Sequence, residues 1–267
     1  MNKQTIQIGF SPCPNDTFIF DAMVNGKIDT GNLKFEPVLE DVQTLNEWAI
    51  AGKLPITKLS YGVLPLVQQN YNLLDSGSAL GTGVGPLLIT NNAAGENNIE
   101  EKLIAIPGEN TTANLLFTLA YPSAKNKVYL RYDAIEKFVQ EGKGLGVIIH
   151  ENRFTYAANG LTKITDLGDY WEKTTGLPIP LGGIVIKKNI QPVIQTQVNF
   201  LIRQSIEFAF KNYPTLNEYI TSNAQEMSEA VMLQHIDLYV NKFSLDLGVE
   251  GKAAVEKLVG VYDSMKG

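Results

Sequence analysis

The chain holds only two histidines, and one of them, His150, directly follows the apolar run Leu145, Gly146, Val147, Ile148 and Ile149. An imidazole is the side chain whose ordinary pKa lies nearest neutrality, so a histidine at a ligand site is a natural proton carrier. Glu151 and Asn152 come next and could orient the ring. A histidine at such a place could equally cap a strand end or hydrogen-bond a carbonyl, and the residues alone leave both roles open.

Further groups with chemical capacity are scattered along the chain. Thr111 and Thr112 fall where a helix is expected to open, so their hydroxyls would join free peptide N–H groups and the positive end of a helix dipole, an arrangement suited to an anion. A plain N-cap is the competing reading. Lys58 and Ser60, expected at another strand-to-helix junction, could offer a cation and a hydroxyl to a carboxylate. The loop Ser11-Pro12-Cys13-Pro14-Asn15-Asp16-Thr17 combines two prolines with polar side chains at a helix start, and Asn15 and Asp16 are candidate substrate contacts. Cys13 would need a partner that lowers its pKa to serve as a nucleophile, and His150 is the available one. His235, within Val231 to Ile236, reads as a structural residue of a helix. Asp166, Asp169, Glu172, Tyr170 and Trp171 read as a solvated face carrying a core tryptophan.

The elements that must position these groups follow from periodicity. Ile6, Ile8 and Phe10 alternate as a first strand, and Asn15-Asp16 would cap a helix over Phe18 to Val24 that stops at Gly26. Leu33, Phe35 and Leu39 mark a second strand, and Val42, Leu45, Trp48 and Ala49 a helix ending at Gly52. A third strand is expected near Leu54 to Thr57, then a helix with Pro65 in its first turns. The alternation is that of βαβ units, which implies a mostly parallel sheet covered by helices. His150 should then project from the carboxyl end of a buried strand, the edge at which such sheets bind ligands.

The glycine-rich stretch Ser76 to Pro86 has the spacing Gly81-x-Gly83-x-Gly85 with no helix after it, so a dinucleotide loop is not indicated. Close backbone approach where the chain crosses between domains fits better. A second breaker-rich stretch, Gly176 to Gly183, precedes the strand Ile184 to Ile186. Between the two lie the strands Leu87 to Thr90, Leu103 to Ile106 and Val128 to Arg131, and a helix over Ile135 to Val139 capped by Asp133. The remainder is helical, with Val198, Leu201, Ser205, Ile206 and Ala209 on one face and a Ser222/Gln225 capping box before Val231 to Tyr239. Residues 1–90 with 188–267 would form an outer α/β domain, and 91–187 an inserted one, with a hinged cleft between them.

Composition narrows the class. Apolar residues make up 44% and charged residues 19%, an ordinary globular balance, and the net charge of −6 argues against a nucleic-acid binder. The amino terminus lacks a signal-like apolar segment and no stretch could span a bilayer, so a cytoplasmic location with no membrane partner is expected. The single cysteine cannot form an internal disulfide. No Cys/His cluster has metal-ligand spacing, so no metal or other cofactor is expected. Oligomeric state is not encoded in any visible pattern.

Taken in order, Ser-Pro-Cys-Pro-Asn-Asp-Thr-Phe at 11 to 18, Lys58-Leu59-Ser60-Tyr61, Pro107-Gly108 followed by Thr111-Thr112-Ala113, and Ile149-His150-Glu151 resemble the 1,4-dihydroxy-6-naphthoate synthases of the futalosine route to menaquinone. The resemblance covers almost the whole chain, and the first loop is its most specific part. It implies the fold of type II periplasmic binding proteins, with two α/β domains, a hinge and an interdomain cleft. It also implies that His150 is the proton acceptor, that Lys58, Leu59, Ser60, Thr112 and Ala113 contact a small-molecule carboxylate, and that cyclic dehypoxanthinyl futalosine is cleaved to 1,4-dihydroxy-6-naphthoate and dihydroxyacetone. A solute-binding protein, a ligand-sensing module and the chorismate dehydratase of the same route share the architecture and remain the alternatives.

Overall fold

A computed structural model of the chain describes residues 3–93, 96–224 and 228–266. Strands β1 (Gln4–Phe10), β2 (Leu33–Leu39), β3 (Ile56–Ser60), β4 (Tyr71–Leu73) and β5 (Ala79–Gly81) lie in the first third of the chain. They are followed by β6 (Leu87–Thr90), β7 (Ile104–Ile106), β8 (Lys127–Tyr129), β9 (Leu145–Ile148), β10 (Thr162–Asp166) and β11 (Ile179–Lys187).

Two sheets result. The first has the order β2-β1-β3-β11-β4, with β5 also paired to β11, and the second has the order β10-β6-β9-β7-β8. Each contains a parallel core made by βα crossovers: β1 runs parallel to β2 and β3, and β7 parallel to β8 and β9. The strands that enter and leave the insertion run antiparallel, β6 against β9 and β11 against β3, β4 and β5. The sheets are therefore mixed rather than mostly parallel, because a chain that crosses out of one lobe and back must return against the direction of its neighbours.

The crossings fall earlier than residues 90 and 187. Leu87–Thr90 pairs within the second sheet and Ile179–Lys187 within the first, so the chain leaves the first lobe just after β5 and re-enters it at β11. The stretch Gly176 to Gly183 is accordingly half strand. Pro180 sits at a register shift between β11 and β5, where a missing N–H interrupts the ladder least.

Apolar packing holds each lobe. Ile6, Ile8, Ile184 and Ile186 of the first sheet bury against Phe18 and Ile19 of the helix Pro14–Val24 and against Val198, Leu201 and Ile206 of the helix Pro192–Asn212. Trp171 is fully buried, its indole N–H donating to the Pro178 carbonyl at 3.1 Å. Ile135 and Val139 cover the second sheet behind Ala105 and Ile148.

Several local expectations are corrected. The helix at the first loop starts at Pro14, with Cys13 as N-cap, so Asn15 and Asp16 lie inside the first turn instead of capping it. Lys58, Leu59 and Ser60 belong to β3 itself, since the strand runs Ile56–Ser60 and a 3-10 turn follows at once. Asp133 lies in a 3-10 turn, and the helix Ile135–Gln140 has no side-chain cap. Ser222 lies within the helix Glu218–Asn223, while its suggested partner Gln225 is outside the described residues. Ser228 is the N-cap of Glu229–Tyr239.

Glycine allows close backbone approach at two places, one where the crossing enters the insertion and one between the lobes. A Cβ on Gly85 would fall 2.2 Å from the Gly168 nitrogen, and one on Gly62 would fall 2.8 Å from the carbonyl of Thr111 and the nitrogen of Thr112. The Gly62 peptide N–H also donates to Thr112 Oγ1 at 3.0 Å, and that hydroxyl donates to the Leu181 carbonyl at 2.8 Å. Gly62→Ala must push these backbones apart, and a loss of about 1–3 kcal/mol in unfolding free energy is expected from overpacking. Denaturant unfolding measures it, and an unchanged midpoint would show that the lobes give way freely here.

Candidate active site

The site grows from the loop after β1. Asp16, buried, accepts from the Ser11 peptide N–H at 3.1 Å, from Ser11 Oγ at 2.7 Å and from Asn15 Nδ2 at 2.9 Å, and it forms an ion pair with Lys58 of β3. The Lys58 and Asp16 side chains are 8% and 2% exposed. Lys58 is thus neutralised within the protein and is not a free cation awaiting a carboxylate. Thr17 donates back to the Cys13 carbonyl at 3.1 Å and completes the turn.

Ser60, at the end of β3, is oriented by Asn46. Asn46 accepts from the Ser60 peptide N–H at 2.8 Å, and its amide donates to Ser60 Oγ at 3.1 Å and to the Asn110 carbonyl of the other lobe at 2.9 Å. Thr111 proves to be the N-cap of the helix Thr112–Ala120, accepting from the Asn114 N–H at 3.2 Å and donating to the Gly108 carbonyl at 2.8 Å. Both threonine hydroxyls are therefore engaged within the protein. What this helix start offers a ligand is its peptide N–H groups at Thr112 and Ala113, which have no intrahelical acceptor.

His150 lies two residues beyond β9. With φ of 56°, it is the one non-glycine residue with positive φ among the described residues. Backbone in that region costs an ordinary residue about 1 kcal/mol or more, so the surrounding structure must impose it. Arg153, in the short helix Asn152–Thr155, supplies the anchor: its guanidinium donates to the Gly83 carbonyl at 2.8 Å and to the Gly85 carbonyl, and pairs with Asp166 at 2.6 Å. The glycine segment of the crossing and the turn bearing His150 are thereby fixed to each other. Burial is the main cause that pulls the His150 pKa down to about 4; nearby Asp16 opposes it and Lys58 adds to it. The ring is neutral at physiological pH.

These groups converge. A cleft enclosing about 730 Å³ of empty space, part of it continuous with solvent, is lined by Ser11, Asn15, Asp16, Lys58, Leu59 and Ser60 from the first lobe. Thr111, Thr112, Ala113 and His150 face it from the insertion. Val42, Leu45, Val84, Ile149 and Leu181 give it apolar walls. Asn15 Oδ1 and His150 Nε2, both on cleft-lining residues, are buried without a hydrogen-bond partner among the described residues.

His235 lies buried in its helix, as expected, and has a second contact. It is fully buried in the helix Glu229–Tyr239 and also lines the cleft, with its ring centroid 6.1 Å from that of His150 and 4.7 Å from that of Tyr239. Neither of its nitrogens has a hydrogen-bond partner among the described residues, and burial, then the neighbouring His150 and Lys58, push its pKa well down. Cys13 is buried, and burial foremost, then the Glu151 charge, pushes its thiol far up, which removes it as a nucleophile. Asp166 caps the helix Leu167–Thr175 besides pairing with Arg153. No helix among the described residues is long and apolar enough to cross a membrane.

Two α/β lobes with a polar cleft at the strand ends define the binding-protein fold class. The chain superposes on the periplasmic aliphatic sulphonate binding protein SsuA of Escherichia coli with a TM-score of 0.69 at 10% identity, over 99% of this chain and 88% of that one. Protein AF1704 of Archaeoglobus fulgidus is nearer, with a TM-score of 0.92 and 32% identity over 98% of both chains. Residues 6–264 match the family model described as menaquinone biosynthesis, and the chain belongs to that family. It is 44% identical over 256 residues to the 1,4-dihydroxy-6-naphtoate synthase of Thermus thermophilus, covering 96% of this chain and 93% of that protein. The identity to the Streptomyces coelicolor protein of the same name is 40% over 265 residues, covering 97% and 93%.

The Lys58–Asp16 pair sets a test of the site's construction. Asp16→Asn leaves a buried lysine uncompensated and is expected to cost about 3–5 kcal/mol, whereas Asp16→Asn combined with Lys58→Met should recover part of that loss. Equilibrium unfolding of the two variants decides it; equal destabilisation would mean the charges do not interact.

Proposed function

We propose that the protein is a carbon–carbon lyase that cleaves cyclic dehypoxanthinyl futalosine to 1,4-dihydroxy-6-naphthoate and dihydroxyacetone, in the cytoplasm, with His150 as base. The observation that carries this reading is the meeting of the family-like segments in one cleft with a neutral His150. The two curated relatives, each named for the naphthoate product, favour it over chorismate dehydration or simple solute binding.

The substrate carboxylate would lie at the Thr112–Ala113 helix start, where peptide N–H groups and the helix dipole favour an anion without a free cation. The fused ring would rest on Val42, Leu45 and Leu181. Neutral His150 takes a proton from a ring carbon of the bound substrate, the electron pair of that C–H bond moves into the ring as it becomes aromatic, and the carbon–carbon bond breaks with its own pair leaving on the three-carbon fragment. The proton then passes to the leaving fragment. Aromatisation supplies the driving force, and no step in this scheme calls on a metal or redox group.

Incubation of purified protein with the cyclic substrate should yield the naphthoate, followed by chromatography. Binding without product would favour the solute-binding reading and sink the lyase. His150→Asn is the informative variant, because asparagine tolerates the left-handed backbone that His150 adopts. Its turnover should fall about 10²-fold or more while substrate binding is retained.

The pH dependence follows from the depressed pKa. Protonated His150 is inactive as a base, and protonation sets in only as pH falls towards about 4, so the acid limb of kcat/KM should lie well below the ordinary histidine value. An acid limb near 6.5, the ordinary imidazole pKa, would contradict the assignment.

A further inference from the structure

His150 and Ser11 line two cavities, not one. Besides the cleft, a second chamber of about 480 Å³ of empty space, part of it continuous with solvent, is lined by Glu40, Asp41, Arg131, Tyr132 and Cys13. The polar groups differ in kind: the cleft carries the Lys58–Asp16 pair, amide and hydroxyl groups beside its aliphatic wall, whereas the chamber, which shares Val42 with it and adds Leu39, gathers two carboxylates, a guanidinium and hydroxyls.

Tyr132 is 4% exposed, and its hydroxyl is buried with no hydrogen-bond partner among the described residues. A buried orphan hydroxyl costs free energy unless something else meets it. The Tyr132 ring packs edge-on against His150 with centroids 4.9 Å apart, so this hydroxyl belongs to the immediate surroundings of the base. Burial, first among its causes, keeps the phenol protonated, and it can act as a donor. Asp41 already caps the helix Val42–Ile50 and Arg131 pairs with Asp133, whereas no such cap or ion pair engages the Glu40 carboxylate among the described residues.

From these groups we infer that the chamber receives a short, neutral, polyhydroxylated fragment, so that the substrate lies across His150 with its aromatic, carboxylate-bearing part in the cleft. Carboxylates accept from hydroxyl groups, and Tyr132 and Arg131 donate to hydroxyl or carbonyl oxygens, which is the complement of a polyol or hydroxyketone. Glu40 and Asp41 repel an anionic group, so the carboxylate end is directed to the Thr112–Ala113 helix start. The bond to be broken then lies at the boundary between the chambers, where His150 stands. The origin of the fragment rests on the lyase reading; the polyol preference of the chamber does not.

Ligand-detected NMR titrations of the full-length protein with dihydroxyacetone, glycerol and 1,4-dihydroxy-6-naphthoate separate the two chambers. Tyr132→Phe deletes an unpartnered hydroxyl and should keep the fold, and Glu40→Gln is isosteric. Each should weaken binding of the three-carbon probes about 2–10-fold, the usual worth of one hydrogen bond, and leave naphthoate binding unchanged. Three-carbon probes that fail to bind the wild type, that bind both variants as well as the wild type, or that weaken together with the naphthoate would overturn the proposal. A wild type that binds the probes in this Tyr132-dependent way but makes no naphthoate retains the chamber and loses the lyase reading.

Discussion

The buried ion pair between Lys58 and Asp16 is the constraint on which the site depends. Each charge alone would cost several kcal/mol to remove from water, and the cost is offset only because each meets the other and Asp16 also takes hydrogen bonds from Ser11 and Asn15. The result is a loop welded to a central strand. That weld fixes Ser11 and Asn15 at the cleft, sets the first turn of a helix that begins without a side-chain cap, and places two opposed charges in the field of His150.

A second consequence is that the cleft keeps no free cation at the Lys58 position. Recognition of a carboxylate then falls on the amino end of the Thr112–Ala120 helix, whose own hydroxyls are spent on capping and on holding the lobes together. Peptide dipoles attract an anion without the desolvation cost of an extra buried lysine, and they leave His150 neutral. The left-handed backbone at His150, held through Arg153 and the glycines of the crossing, completes the positioning. The first lobe, the insertion and the crossing between them each contribute a part.

Much of this was legible in the residues. The βα alternation, the insertion, the helix opening at Thr112 and the strand ending before His150 all follow from apolar periodicity and breakers. The antiparallel crossings did not, because direction within a sheet is a tertiary property that a five-residue pattern does not carry. The short strands Ala79–Gly81 and Thr162–Asp166 were hidden in a glycine-rich segment and a half-exposed one. Pairing between charges distant in sequence, such as Lys58 with Asp16 or Arg153 with Asp166, has no local signature at all. His235 and Asn46 did leave a trace: Met232, His235, Ile236 and Tyr239 share a helical stripe, as do Val42, Leu45, Asn46 and Ala49. A polar residue on a buried stripe is costly among apolar neighbours alone, and both lie at or beside the cleft.

The central claim is that His150 stands in the cleft as a desolvated, neutral imidazole ready to accept a proton. With only two histidines in the chain, ¹⁵N-histidine labelling gives two imidazole signal sets, and a His235→Gln variant assigns them. The ring of His150 should stay neutral through the physiological range and titrate near pH 4. A midpoint near the ordinary 6.5 would show a solvated imidazole and contradict the account.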